Sequence, residues 1–274
     1  MVCCSFFGTI IVVISALCSV ALLIAANVGT IGEQMSKSSI FLLELNFVNV
    51  DLSSIYSEAS SYTASELGFS DAYIFGMYGY CRGTQGTSTT SVDKIWEDIN
   101  FSSSSCTNSS ITYEFNPVSF VVNEINDYNT LGISITSDDI SLPGNLGNYI
   151  KTAEHISQVI YICSIIAICL SVVAILCEIL CWCMFSMAVV EFFQTLSFFA
   201  AIISSACATG AFKYIETEFN KYESTFGISA KLSKNFLVLT WVGTGISLLT
   251  ILLIMFTRCC MRSPAPPVIY DRVL

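Results

Sequence analysis

Histidine occurs once in the 274 residues, at His155, which limits what the other reactive side chains can do. No Ser-His-Asp, Cys-His or HExxH set can be assembled from one imidazole beside Glu154 at the edge of an apolar run. His155 reads as an interfacial residue, with a titrating switch as the alternative that its ordinary range allows. Acids pair at Asp138-Asp139 and Glu97-Asp98, but no Asp-x-Asp-x-Asp-Gly loop accompanies them, so solvated loop acids are expected rather than a calcium site. Cys177, Cys181 and Cys183 could offer three thiolates to zinc, which wants a fourth ligand that the sequence does not supply. Glu178 and Glu191 interrupt apolar sequence; such acids mark ion paths or lie at headgroup depth, and the second reading is preferred. The expectation is a protein that is not an enzyme and holds no metal or cofactor.

Cysteine placement carries more information than cysteine chemistry. Of thirteen cysteines, only Cys81 and Cys106 lie in the long polar stretch Glu33 to Glu154. An even number in an oxidising compartment predicts a disulfide between them, contributing roughly 3 kcal/mol by loop closure. Cys18, Cys163, Cys169 and Cys207 read as small packing residues. Cys3, Cys4, Cys181, Cys183, Cys259 and Cys260 cluster at span ends, where they are either palmitoylated or reduced and inert. Two sequons, at Asn100 and Asn108, are candidate glycan acceptors.

These residues are positioned by four apolar runs. A bilayer core needs about 20 apolar residues of helix, with every backbone group satisfied inside the segment. The spans are expected at about 5–28, 156–179, 187–212 and 235–257, leaving a long loop 29–155, a shorter loop 213–234 and a tail 258–274. Hydrophobic residues make up 54% of the chain and charged ones only 12%, which leaves no room for a second soluble domain. The long loop holds fifteen acids against Lys37, Arg82, Lys94 and Lys151, within a formal net charge of −10. A field of that sign repels nucleic acid. Arg258 and Arg262 follow the last span, so the positive-inside rule places both termini in the cytosol and the long loop outside. The first run lacks the basic n-region of a signal peptide and is kept as a span.

Within the long loop, the later half of residues 41–52 alternates apolar and polar, and the segment predicts a half-buried strand. Residues 72–81 predict a second, and together they suggest a small sheet. The stretches 83–91 and 101–110 read as flexible connections, and 142–147 as a turn. The inner turn around Cys181-Trp182-Cys183 makes spans two and three antiparallel neighbours. Ser204, Ser205, Ala206, Ala208 and Gly210 in span three, with Gly243 and Gly245 in span four, are expected at close helix contacts. Tyr214, Phe219 and Tyr222 suggest that the third helix continues outward. With no acid or amide expected at mid-depth, a pore lining is absent.

The segment Gly76-Met77-Tyr78-Gly79-Tyr80-Cys81, a second loop cysteine and four spans with unequal loops resemble claudin-like proteins, whose signature has Leu and Trp where Met77 and Tyr78 stand. Phe212-Lys213-Tyr214, then Phe226-Gly227-Ile228 through Leu232-Ser233 before Trp241, resemble the fungal PalI/SUR family. That resemblance implies a membrane, mainly α fold, a four-transmembrane-helix bundle with a claudin-like extracellular β-sheet subdomain. It also implies a place in the plasma membrane at the cell cortex, in eisosome-associated compartments linked to cell-wall integrity and stress responses. The partners implied are membrane lipids, sphingolipid or sterol among them, other cortical membrane proteins and a second copy. The alternative is an accessory subunit of a pH-sensing or calcium-influx complex. In the tail, Tyr270 to Val273 matches a Tyr-x-x-bulky sorting pattern, after a proline-rich stretch expected to be extended.

Overall fold

The computed structural model describes residues 2–48, 50, 62–85, 96, 101–111, 113–140, 146–181, 187–223 and 227–261. Four long helices, α1 (Val2–Gly29), α4 (Leu146–Cys181), α5 (Met187–Lys221) and α6 (Lys234–Met261), form a bundle. Each contains a segment long and apolar enough to cross a membrane: Gly8–Gly29, Glu154–Leu180, Ala188–Lys221 and Lys234–Thr257. This is a multi-pass membrane protein. α1 ends where Thr30 turns its hydroxyl back onto the carbonyl of Asn27 (2.7 Å), followed by Gly32 at φ 45°.

Beyond that end a short helix α2 (Gln34–Ser38) leads into a sheet of β1 (Leu43–Asn46), β2 (Ala72–Phe75), β3 (Tyr80–Gln85), β4 (Phe101–Cys106) and β5 (Ser229–Leu232). The order is β4-β3-β2-β1-β5, antiparallel throughout. Two sequence expectations are corrected here. Residues 101–106 are a strand rather than a flexible connection, because the serines pair with β3 from Cys81↔Cys106 to Gln85↔Phe101. Strand β1 is shorter than 41–52 and buried along most of its length rather than half-buried. One face, carrying Leu43, Leu45, Tyr73 and Phe75, joins the main core, while Phe41, Ala72, Ile74, Cys81 and Phe101 pack with Met35 on the other. Glu44, only 2% exposed, stands opposite Lys231 of β5.

The main face is roofed by α3 (Pro117–Tyr128), whose start is encoded locally. The Asn116 side chain accepts hydrogen bonds from the amides of Val118 and Ser119, and Pro117 occupies the first turn, where a missing N–H costs nothing. Phe120 and Ile125 then reach the sheet. α5 continues past 212, the expected end of the third span, to Lys221, and β5, which the sequence reading did not foresee, leads directly into α6. Leu142–Asn145 of the expected turn lie outside the described residues, while Leu146 and Gly147 begin α4.

Candidate functional site

Polar side chains inside the bundle bond across every neighbouring pair of helices. Between α1 and α6, Ser19 donates to the carbonyl of Gly243 (2.7 Å) and Ser15 meets Thr250 (2.8 Å). Between α1 and α4, Asn27 Nδ2 donates to Ser164 Oγ (2.7 Å). Between α4 and α5, Ser171 meets Ser197 (2.7 Å) and Ser204 donates to the carbonyl of Ile160 (2.9 Å). Between α5 and α6, Gln194 donates to Ser247 (3.1 Å) and Ser205 meets Thr244 (3.1 Å), while on the exposed side of the same pair Trp241 Nε1 donates to Thr209 (2.9 Å). With no water to compete, each bond favours one helix register over its neighbours.

The sequence reading missed Asn27 and Gln194, both buried amides within spans. Their signal was available: an amide in an apolar run must face the bundle. Among the expected small-residue contacts, Ser204, Ser205 and Ala208 are buried, and a Cβ on Gly243 would stand 3.3 Å from Leu23. Gly210 and Gly245 are corrected, as is Ala206. All three are exposed on outer helix faces, and a Cβ on either glycine would meet nothing within 4 Å. Glu178, at 5% exposure, turns inward one turn beyond Ala174, which packs with Val12, Val190 and Ile254, and stands two residues before the end of its span. Glu191 is half-buried and His155 exposed. Cys18 and Cys169 face outward, whereas Cys163, Cys177 and Cys207 are partly covered.

The second cluster joins the sheet to the bundle. Gly76 leaves no room for a side chain, since an added Cβ would collide with the Thr30 carbonyl and Met35 Sδ. Met77 is buried in the main core. Tyr78 points toward the helices, its hydroxyl 3.4 Å from Asn27 Oδ1 and its ring edge-on to Tyr161 at 5.5 Å. Cys81 and Cys106 are joined by a disulfide, directly opposite each other on β3 and β4.

The third cluster is a buried ion pair that the sequence reading did not identify. Glu124 of α3 is fully buried and accepts hydrogen bonds from the hydroxyls of Tyr73 and Tyr80, each at 2.8 Å. Arg82 Nη1 lies 3.4 Å from Glu124 Oε2. The same guanidinium donates to the carbonyl of Gly68 (2.7 Å) and to Ser70 Oγ (3.0 Å), and stacks over the Tyr128 ring. Burial pushes the Glu124 carboxyl above its usual range, and the tyrosine hydroxyls and Arg82 offset only part of that. Burial and the neighbouring carboxylate raise both Tyr73 and Tyr80, which therefore remain donors. The available signal was an acid at the centre of the Phe120, Glu124, Tyr128 stripe.

These clusters hold helices and sheet together and present no nucleophile beside a base. A model of the SUR7/PalI family matches residues 4–253. The chain belongs to the SUR7/PalI family. It is similar to Protein PUN1 of Saccharomyces cerevisiae, with 24% identity over 97% of this chain and 95% of that protein. No solved structure matches it. The four spans and small antiparallel sheet are the claudin-like arrangement of SUR7/PalI proteins, and Gly76, Met77, Tyr78 and Cys81 sit where sheet meets bundle.

Asp138 and Asp139 are exposed, in a short turn where Asp139 caps Thr136. Asn108 is exposed just after β4. Asn100, Glu97, Asp98, Cys183, Tyr270 and Val273 lie outside the described residues, as do the side chains of Cys3, Cys4, Cys181, Cys259 and Cys260.

Proposed function

We propose that the protein is a non-enzymatic organiser of the plasma membrane at the fungal cell cortex. It supports membrane-compartment, cell-wall and stress-response organisation through lateral contacts with lipids and other membrane proteins. The observation that carries this reading is the way the bundle uses its polar groups: they bond to one another inside. Large apolar side chains such as Ile14, Leu176, Phe199 and Leu252 face outward. Membership of the SUR7/PalI family supports the cortical setting. The disulfide supports placing the sheet outside the cell, where such bonds persist; four spans then put both termini in the cytosol.

Imaging a tagged copy beside a cortical-patch marker tests the reading. Static patches coinciding with the marker are expected, and an even, freely diffusing distribution would overturn it. A second reading, an accessory subunit coupled to pH sensing or calcium entry, is favoured by Glu178, an inward-facing acid within a span. Glu178→Gln separates the two: the organiser keeps its patches and stress tolerance, whereas an ion-coupled subunit loses its pH response or calcium influx.

A further inference from the structure

We propose that the loop 107–111 rests in the lipid surface on the sheet side of the bilayer, with Ile111 inserted among the lipids. Leu43 pairs with Phe75 and Leu232, Phe75 with Tyr80, and Cys81 with Cys106, so these residues mark one end of the sheet. That end faces the membrane, because α6 opens at Lys234, two residues after β5. The turn 76–79 lies at the same end, against Thr30 and reaching Asn27 in the last turn of α1.

The loop is tied to this turn. The Thr107 amide donates to the Tyr80 carbonyl (2.9 Å) and the Ser110 amide to the Tyr78 carbonyl (2.8 Å). Ser109 Oγ stands 3.7 Å from where a Cβ on Gly32 would be. Ile111 at the end of the loop is 71% exposed, more than the lipid-facing Val28 (49%) and Ile24 (41%) near the end of α1. Residues 101–113 carry no charge, in a domain where fifteen acids would otherwise keep anionic headgroups away. An uncharged loop tipped by a branched apolar side chain fits a lipid surface, and a loop seated there carries no glycan on Asn108. The inference does not depend on the organiser reading.

The test uses full-length protein in phosphatidylcholine nanodiscs, carrying an environment-sensitive fluorophore on Ile111→Cys. Unsubstituted protein labelled in parallel gives the background from native thiols. Val48→Cys and Leu131→Cys provide exposed apolar positions elsewhere on the sheet domain, and Ser109→Cys gives a second probe in the loop. The expected result is iodide quenching at position 111 roughly threefold or more below that at position 48, with strong quenching by lipids spin-labelled near the headgroup. Equal iodide quenching at 111 and 48 overturns the proposal. Weak iodide quenching without lipid quenching also overturns it, since protein rather than lipid would then cover the loop.

Discussion

At the scale of single residues, the chemistry of Glu124 is spent on holding α3, β2 and β3 together. Its carboxyl titrates above the unfolded value of 4.5, so over the interval between the two values the folded domain keeps a proton that the unfolded chain has released. Its contribution to stability is therefore complete below 4.5 and declines as pH rises through the folded value. Glu66 and Asp139 shift the opposite way through bonds to Thr63 and Thr136, but both are solvated and weakly coupled. Thermal unfolding against pH should show stability falling from acid toward neutral, and Glu124→Gln should flatten that slope. An unchanged slope in the variant would assign the titration elsewhere. Arg82→Ala should cost about 3–5 kcal/mol near neutral pH, by leaving a buried carboxylate unpaired, and less in acid, where Glu124 is neutral. Cys81→Ser opens a link across a sequence separation of 25 and should cost about 2–5 kcal/mol, measured by the same unfolding assay.

At the scale of elements, two glycines of α6 separate what looks alike in sequence. Gly243 sits on Leu23 of α1 and offers its carbonyl to Ser19. Gly245, two residues on, is rotated about 200° around the helix and meets nothing. Gly243→Leu should therefore force α1 from α6, with loss of the folded form on size-exclusion chromatography in detergent. Gly245→Leu should elute as the parent does. Equal behaviour would remove the packing argument for Gly243. The spans themselves were legible because apolar length is a one-dimensional signal. The face that each small residue presents was not, because an outward glycine and an inward one look the same when apolar residues lie on both sides. Strand β4 was hidden for a related reason. Phe101 to Cys106 has poor strand propensity, and its extended form comes from pairing with β3 rather than from its own residues. Glu124 escaped because its partners Tyr73, Tyr80 and Arg82 are 42 to 51 residues away in sequence.

At the scale of the whole molecule, bundle and sheet share one core. Ala26, Ile160 and Ala208 of the membrane helices belong to the same apolar cluster as Leu43, Phe75 and Phe120. α5 has 35 residues, about 52 Å at helical rise, against a hydrocarbon thickness of about 30 Å, so its upper turns stand within the sheet domain. There Phe212 packs edge-on to Phe115 at 5.8 Å, and Asn220 exchanges two hydrogen bonds with Ala230 of β5. A fault in the sheet should therefore loosen the helices as well. Arg82→Ala lies in the sheet, while Cys163 and Cys207, partly covered on α4 and α5, report on the bundle. On heating in detergent, limited proteolysis of the sheet domain and thiol labelling of these cysteines should begin together, and both midpoints should fall together in Arg82→Ala. Proteolysis shifted to lower temperature with thiol labelling unmoved would show two independent units and would remove the shared core as the link between them.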